Sequence, residues 1–394
     1  MSSLLGFGII SVLFVIVIVQ IARVAELSKR IRGDKESQSM TNNRQANLMV
    51  AFMVAFLVFC VASAAYYKNY MLGYGPHEAA SVHGKLIDGL FNETLFFTGI
   101  VFFLTQIALF YFAWKFKEED GRKSLFISHD NKLEVIWTAI PAVVMAVLVI
   151  GGLNVWNEVM ADVNDDEDFI EIEATGYQFA WHIRYPGPDG LIGTKNYKLI
   201  SGNNPVGQDW NDMKNLDDTH PTEIVLPVGK QVRVRITSRD VLHNFYLPHF
   251  RVKMDAVPGM PTYFVFTPEE TTEEYRQKLK EYKEYQIPAD PTEPDGPQKW
   301  EAFEFELACA ELCGKGHYSM KRIVKIVEQE EYDKWLMDQP SYYLSSIRNT
   351  DDDPYKGKTL SIDEKVSEPA AEVEEAVTSE QNEVDDQSIS AVIN

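Results

Sequence analysis

Two thiols, an imidazole and a thioether lie close together in the C-terminal half of the chain, at Cys309, Cys313, His317 and Met320. These are the side-chain groups that bind soft or borderline metal ions such as copper. A weakly bound thioether is typical of copper electron-transfer sites, whereas a structural zinc site usually takes another cysteine or histidine instead. The residue types and their spacing therefore indicate a metal site that favours copper.

The residues around this motif predict a loop between two β-strands. Residues 300–308 and 321–327 alternate apolar and polar side chains, and Gly314 and Gly316 interrupt the pattern between them. A loop allows the chain to curl around a metal ion, but one further strong ligand should come from elsewhere in the fold. The histidines that could supply this ligand are His243 and His249 first, then His182 and His220.

The chain contains three cysteines. Cys60 lies in a long apolar stretch, where we expect a small buried hydrophobic residue. Cys309 and Cys313 could form a metal site, a redox dithiol or a single disulfide; metal binding requires their thiolates and removes them from disulfide chemistry. No Cys-x-x-Cys-His motif is present, so we expect no covalently attached haem of the c type.

Composition and charge exclude some functions. The chain has 394 residues, enough for more than one domain, and a net charge of -21. This charge argues against nucleic-acid binding, which needs clustered Lys and Arg. Apolar residues crowd the first 156 positions, whereas much of the acidic excess lies beyond them. The two parts should therefore differ in environment.

Four apolar stretches predict four transmembrane helices, because about 20 apolar residues cover the roughly 30 Å core of a bilayer. They span residues 4–21, 48–65, 95–114 and 135–155. The first could be a cleaved signal peptide, but no basic residue precedes it and its apolar run is long, which favours a retained anchor. Basic clusters follow the first and third stretches and mark the cytoplasmic side. The part of the chain after the fourth helix is therefore predicted to lie outside the cytoplasm.

From residue 168 onward, short alternating stretches separated by turns predict a small all-β sandwich or barrel. A charged and then proline-rich insertion at about 268–298 interrupts them, and we interpret it as a solvated surface insertion rather than a docking element. The acidic tail is expected to be disordered. The predicted boundaries are 1–46 for the first helix and a cytoplasmic segment, 47–92 for the second helix and an outer loop, 93–156 for a transmembrane hairpin, 157–338 for the outer domain and 339–394 for the tail.

Several motifs resemble subunit II of the haem-copper cytochrome c oxidases, over about residues 83–330. They are Asp240-Val241-Leu242-His243, Met254-Asp255-Ala256-Val257-Pro258-Gly259, Cys309-x-Glu311-x-Cys313-x-x-x-His317-x-x-Met320 and Glu134-Val135-Ile136-Trp137-Thr138-Ala139-Ile140-Pro141. The ordered set is highly specific. It implies a membrane-anchored chain in which N-terminal transmembrane α-helices precede an all-β cupredoxin-like Greek-key barrel.

The resemblance also implies a binuclear copper centre, CuA, containing two copper ions, with no haem bound by this chain. It favours His243 over His249. Glu311 would have a second role, because its side chain would bind magnesium or manganese at the boundary with subunit I. The implied copper ligands are Cys309 and Cys313 as bridges, His243 and His317 on one copper each, Met320 as an axial ligand and Glu311 through its backbone carbonyl.

The implied function is that of the electron-accepting subunit of a respiratory oxidase in the bacterial inner membrane, with its copper domain on the periplasmic side. Electrons would come from a cytochrome c, or a cytochrome c domain of a membrane donor complex. They would pass to haem in subunit I, where oxygen reduction is coupled to proton pumping. This chain needs no general base or nucleophile. Glu134 matches an acid at the mouth of a proton pathway in subunit I, although a helix N-terminus also favours an acid.

The sequence departs from the family pattern in the stretch from Tyr177 to Trp181, which has one tryptophan where the family usually has two. Phe179 stands where electrons would enter through a tryptophan. Trp181 or Tyr177 could take that role, and a plain core role is an alternative for all three. Many family members have two spans, so the extra spans and the insertion suggest additional partners beside the other oxidase subunits.

Two other functions remain open. One is the CuA subunit of a haem-copper nitric oxide reductase. The other is a copper-delivery or thiol-exchange protein that uses Cys309 and Cys313, although Met320, His243 and the motif that begins at Asp240 count against it.

Overall fold

The computed structural model describes residues 2–67, 78–119, 121–164, 168–360 and 362, and for residues 2–12, 29, 32 and 34 it describes the backbone only. The chain divides into two compact units. One comprises residues 1–73 and 90–152, and the other comprises residues 74–89 and 153–394. We call them the helical unit and the β unit.

Long helices dominate the first part of the described chain: α1 (Ser2–Arg32), α2 (Asp34–Tyr67), α3 (Val82–Lys115) and α4 (Asn131–Val159). Three apolar segments, at Lys35–Tyr67, Val82–Lys115 and Asn131–Val159, are long and apolar enough to cross a membrane, with mean hydropathies of 2.6, 2.0 and 2.4. They contain three of the four predicted spans. The fourth, residues 4–21, falls in α1, but the side chains of residues 4–12 lie outside the described residues, so that span remains a prediction.

The helix α4 begins directly after Asp130, whose carboxylate caps its first turn. Asp130 accepts hydrogen bonds at Oδ1 from the backbone N–H groups of Lys132 and Leu133, both at 3.1 Å, and so satisfies two donors of the first turn. Glu134 lies in the same turn and is exposed. Pro141 is inside the helix, as is common in membrane helices whose neighbours satisfy the freed backbone groups.

The β unit is built from two sheets. Its strands are β1 (Phe169–Tyr177), β2 (Ala180–Arg184), β3 (Ile224–Pro227), β4 (Gln231–Ser238), β5 (His243–Leu247), β6 (Val252–Ala256), β7 (Thr262–Phe266), β8 (Phe305–Cys309) and β9 (Arg322–Val327). One sheet has the order β2-β1-β4-β7 and the other β3-β9-β8-β5-β6, with parallel pairing of β1 with β4 and of β3 with β9. The expected class, transmembrane helices followed by an all-β domain, is confirmed.

The core of the β unit follows from the alternation in the sequence. On β4, Val232, Val234 and Ile236 are at most 1% exposed, whereas the residues between them are partly or fully exposed. Phe305 and Leu307 on β8 are fully buried. Period-2 alternation places one side of each strand in the core.

The first turns of α3 belong to the β unit. Ala80 donates a backbone hydrogen bond to His249 at 2.8 Å, and Ser81 Oγ donates to the carbonyl of Phe250 at 2.6 Å. Arg251 holds the Asp88 carboxylate with two nitrogens, Nε at 2.8 Å and NH2 at 3.0 Å. Residues 80–88, which include the start of α3, are thus fastened to the rest of the β unit.

The insertion at about 268–298 differs from the expected solvated segment. Its helix α5 (Thr272–Leu279) begins with a capping box formed by Thr271 and Glu274, and it buries Tyr275 and Leu279 to 4% and 1% exposure. Thr272 Oγ1 also accepts a hydrogen bond from the backbone of Ile326 in β9, at 2.9 Å. The helix α5 therefore contributes Tyr275 and Leu279 to the core of the β unit.

The start of the acidic tail also differs from expectation. The chain continues through α6 (Gln329–Met337) and α7 (Tyr342–Ser346), and Tyr343 and Ile347 are fully buried in a second small core with Trp210 and Leu216. Asp353 accepts hydrogen bonds from the Tyr343 hydroxyl at 2.5 Å and from Arg348 at 2.8 Å. The predicted tail boundary at residue 339 is therefore too early, because a few buried aromatic and aliphatic residues outweigh the acidic composition. Residues 363–394 lie outside the described residues.

Candidate metal centre

The soft-ligand motif occupies the loop between β8 and β9. Cys309 is the last residue of β8, and His243 is the first residue of the neighbouring antiparallel strand β5. The register pairs Phe245 with Cys309, and Ala310 donates a backbone hydrogen bond to Asn244 at 3.2 Å. Strand pairing therefore brings His243 to the end of the sheet at which the loop begins.

Three potential ligand side chains approach the two thiols. His243 Nδ1 lies 3.9 Å from Cys309 Sγ, and His317 Nδ1 lies 3.6 Å from Cys313 Sγ. The Met320 sulfur is 3.9 Å from Cys313 Sγ. Within the part of the chain that the structure describes, one group of three His, Cys, Asp or Glu residues has ligand atoms within 4.8 Å of one another: His243, Cys309 and Cys313.

Glu311 contributes its backbone to the same place. Its carbonyl oxygen is 3.2 Å from Cys309 Sγ, whereas the residue as a whole is exposed. The structure thus gathers Glu311 with the five ligand side chains that the resemblance implies.

The loop turns back on itself through a short 3-10 turn at His317–Ser319. Backbone hydrogen bonds run from His317 to Gly314 at 3.1 Å and from Met320 to His317 at 3.3 Å. The second of these returns Met320 to the interior, where it is 1% exposed. Cys313 and Met320 therefore lie on the buried side of the loop, while His317 is half-buried.

The two thiols are reduced and shielded from solvent. Cys309 and Cys313 are 8% and 5% exposed, and neither forms a disulfide. Burial and the adjacent Cys309 raise the pKa of the Cys313 thiol to about 11. In the metal-free protein Cys313 keeps its proton at neutral pH, so a metal ion has to displace it. Two thiols, two imidazoles, a thioether and one carbonyl form a donor set that suits copper.

Asp240 orients the imidazole of His243. Its Oδ1 lies 2.8 Å from His243 Nε2, which leaves Nδ1 directed toward Cys309. Although burial opposes it, hydrogen bonds from the backbone of Gln178 and from His243 hold the pKa of Asp240 below its usual value. Gly176 packs closely against the ring, because an added Cβ would come within 2.9 Å of His243 Cδ2. The ring is fixed in position and rotation before any metal binds.

The three aromatic residues noted in the sequence have different environments. Trp181 is fully buried and packs edge-on against His243 and Phe245, with ring centroids 6.1 and 5.7 Å apart. Tyr177 stacks on His182 at 4.3 Å. Phe179 lies against the metal loop, where Cβ atoms added to Gly314 and Gly316 would come within 2.8 and 2.5 Å of its ring.

The other histidines considered as ligands lie in separate surroundings. His249 is packed edge-on against Tyr275, Phe303 and Phe305, at centroid distances of 5.8, 5.1 and 5.4 Å. His220 stacks on Tyr342 at 4.1 Å. Burial lowers the pKa values of His249 and His182 to about 4, and nearby Arg251 adds to this at His249. The structure brings His243 to the thiols and not these three.

Sequence reasoning missed two parts of the centre. Gln178 and Gly176 touch the ligands or their supports, but one is a surface amide and the other a glycine within a strand. The sequence signal that could have found Gly176 is a glycine interrupting the alternation of β1. Glu134 belongs to the helical unit and forms no part of this site.

The sequence matches two family models and several bacterial proteins. The family described as "Cytochrome C oxidase subunit II, periplasmic domain" matches residues 170–278, and the family described as "Cytochrome C oxidase subunit II, transmembrane domain" matches residues 69–155. The alternative cytochrome c oxidase subunit 2 of Bradyrhizobium diazoefficiens is 34% identical over 265 residues, covering 67% of this chain and 83% of that protein. The cytochrome c oxidase subunit 2 of Cereibacter sphaeroides is 27% identical over 289 residues, covering 70% and 84%.

A solved structure is similar over part of the chain. The crystal structure of the periplasmic domain of subunit II of the cytochrome oxidase of Bradyrhizobium japonicum is 26% identical and covers 43% of this chain and 92% of that one, with a TM-score of 0.26. The family of this chain is shown by the sequence matches and not by this superposition.

Proposed function

Because the chain belongs to the cytochrome c oxidase subunit II family, we propose that it is the copper-containing, electron-accepting subunit of a respiratory haem-copper oxidase. The observation that carries the proposal is the convergence of His243, from one strand, with the thiols of Cys309 and Cys313 on a neighbouring loop. A family member that had lost the copper function would have no need to keep this donor set buried and in register.

The proposed copper ligands are the residues gathered at the loop. Cys309 and Cys313 would bridge two copper ions, His243 and His317 would bind one each, Met320 would be the weak axial ligand, and Glu311 would add its carbonyl. When bound, the copper pair supplies a one-electron acceptor and donor whose charge is shared over two thiolates. The chain's own residues hold the ligands rigid: Asp240 fixes one imidazole, and Trp181 fills the space behind it. Rigid ligands rearrange little when the charge changes, which favours fast electron transfer.

The burial of the two thiols favours copper binding over thiol exchange. A thiol that exchanges disulfides needs an accessible thiolate, whereas Cys309 and Cys313 are almost fully buried and burial raises the pKa of Cys313. The relatives are named as cytochrome c oxidase subunits, which favours oxygen rather than nitric oxide as the substrate of the partner.

The remaining roles in the proposal concern partners. Cytochrome c, or a cytochrome c domain of a membrane donor complex, would deliver electrons, and haem in subunit I would receive them. The exposed side chain of Glu311 is suited to a magnesium or manganese ion shared with subunit I. Glu134, exposed in the first turn of α4, would lie at the mouth of a proton pathway. Phe179, Trp181 and Tyr177 are the proposed residues for electron arrival.

The proposed location is the bacterial inner membrane, with residues 157–338 as a periplasmic copper domain. Three apolar helices anchor the chain. If residues 4–21 form the predicted fourth span, the chain would cross the membrane an even number of times starting outside, which supports an outside location for the domain.

A direct experiment tests the copper assignment. The full chain in detergent is loaded with copper, and its absorption and electron paramagnetic resonance spectra are recorded. A purple species whose unpaired electron is shared by two coppers is the expected result. A colourless zinc-bound protein, or a disulfide between Cys309 and Cys313, would contradict the proposal.

A further inference from the structure

The turn between β1 and β2 touches both chain segments that supply ligands. Gln178 and Phe179 form this turn, far in sequence from the segment around His243 and from the loop that begins at Cys309. The family comparison and the ligand chemistry assign no role to Gln178, whose side chain is on the surface.

Gln178 makes one hydrogen bond to each ligand segment. Its backbone N–H donates to Asp240 Oδ2 at 2.8 Å, and its side-chain Nε2 donates to the carbonyl oxygen of Cys313 at 2.5 Å. Asp240 uses its other oxygen for His243 Nε2 at 2.8 Å. A continuous path of hydrogen bonds thus runs from His243 through Asp240 and Gln178 to Cys313.

Phe179 packs on the loop that Gln178 binds. Cβ atoms added to Gly314 and Gly316 would come within 2.8 and 2.5 Å of the Phe179 ring, and Gly314 has a φ of +140°, which side-chain-bearing residues rarely adopt. The loop backbone therefore lies directly on this ring. Packing restrains the loop in one direction, while the Gln178 amide fixes the orientation of the peptide plane that follows Cys313.

We propose that Gln178 is a positioning residue that couples the two halves of the candidate copper site and sets the separation between His243 and Cys313. The proposal rests on the copper site put forward above. The Cys313 carbonyl cannot turn while it accepts the Gln178 hydrogen bond, so the Cα–Cβ direction of Cys313 is fixed relative to Asp240. Because Asp240 in turn fixes His243, loss of the amide releases one half of the site from the other.

Two substitutions isolate the side-chain hydrogen bond. Gln178→Leu keeps a side chain of similar length and the backbone bond to Asp240, but removes the Nε2 donor. Gln178→Asn keeps an amide that is one methylene too short to reach Cys313. The matched control is Gln286→Leu, because Gln286 Nε2 also donates to a backbone carbonyl, that of Lys280, at 2.8 Å on an exposed part of the insertion.

The first measurement uses metal-free protein. In full-length Cys60→Ser protein in detergent, the rate of alkylation by iodoacetamide reports how often the buried Cys309 and Cys313 thiols become accessible. Loss of one hydrogen bond, worth about 1 kcal/mol, should raise this rate about fivefold in both Gln178 variants and leave the Gln286 variant unchanged. The melting temperature of each variant shows that the unit as a whole stays folded.

The second measurement uses copper-loaded protein. Both Gln178 variants should release copper to a chelator about fivefold faster and show an altered copper hyperfine coupling, which a distant structural change would not produce. Wild-type alkylation rates and an unchanged hyperfine coupling in Gln178→Leu would overturn the proposal. A wild-type alkylation rate in Gln178→Asn would also overturn the proposal, because the asparagine amide is too short to reach the Cys313 carbonyl.

The two proposals fail in different ways. If the wild-type chain binds no copper, the proposed function fails, and the alkylation rates of the metal-free variants still decide the role of Gln178. If wild-type and Gln178 variants bind copper with identical spectra and release rates, only the positioning role is overturned.

Discussion

The Nδ1 atom of His243 lies 3.9 Å from the Sγ atom of Cys309, although 66 positions separate the two residues in sequence. Pairing of β5 with β8 produces this proximity, and Asp240 holds the ring so that Nδ1 faces the thiol.

Cys309→Ser should abolish the copper spectrum. A hydroxyl does not replace a bridging thiolate, because soft ligands are required to hold copper in this donor set. Absorption and electron paramagnetic resonance of the copper-loaded full chain provide the measurement. Cys60→Ser, in a helix of the helical unit, is the matched control and should retain the full signal. Retention of the signal in Cys309→Ser would exclude Cys309 as a bridging ligand.

Met320→Leu should keep both coppers and shift the midpoint potential. The thioether is a weak axial donor, and leucine has nearly the same volume in a site that is 1% exposed. Metal analysis and a redox titration measure the two quantities. Complete loss of copper from this variant would show that Met320 is a principal ligand, contrary to the role assigned here.

Gly176→Ala should weaken copper binding by about tenfold, the lower range for residues that orient a metal ligand. The new Cβ would lie 2.9 Å from Cδ2 of His243, so the ring has to leave its present position beside Cys309. Competition with a copper chelator gives the affinity. Gly202→Ala is the control, because nothing lies within 4 Å of its added Cβ. Equal affinities for the two variants would mean that the His243 ring is not held by Gly176.

His249→Phe should keep copper binding but change the pH dependence of stability. Burial and Arg251 lower the pKa of His249 to about 4, below its ordinary value of 6.5. The unfolded chain therefore binds more protons between pH 4 and 6.5, so this stability is present above pH 6.5 and is lost as pH falls toward 4. At pH 5 the loss is about 2 kcal/mol from this residue.

Urea unfolding of the wild-type chain and the His249→Phe variant at pH 7 and pH 5 measures this difference. Phenylalanine suits the ring cluster around His249, and the variant should lose less stability between the two pH values than the wild type. An unchanged pH dependence would show that His249 is not the source. Loss of copper would place His249 at the metal, where the structure does not put it.

Asp88→Ala should destabilise the β unit by about 2 kcal/mol. Arg251 is 9% exposed at its side chain and would keep a buried charge without its carboxylate partner. Thermal or urea unfolding gives the free energy. Lys85→Ala, which breaks the pair with Glu269 on a side chain that is 55% exposed, should cost little. Equal effects of the two substitutions would contradict the idea that residues 78–89 are fastened through Arg251.

The features that are local in the chain follow from the amino-acid sequence alone. Apolar length predicts the membrane helices, period-2 alternation predicts strands such as β4 and β9, and the ligand types of the loop from Cys309 to Met320 indicate copper. These inferences hold because each depends on residues within a few positions of one another. The resemblance to a family selected His243 from the candidate histidines.

The features that join residues far apart in the chain become visible only in the folded protein. Gly176, Gln178 and Phe179 support the site through contacts made only when the β1–β2 turn meets the metal loop. Charged composition suggested that the insertion and residues 339–360 stay in solvent, yet Leu279 is buried in the main core of the β unit and Tyr343 in the second, small core. Average charge describes a segment's surface, whereas a few apolar side chains and the shape that receives them decide whether it folds against the domain.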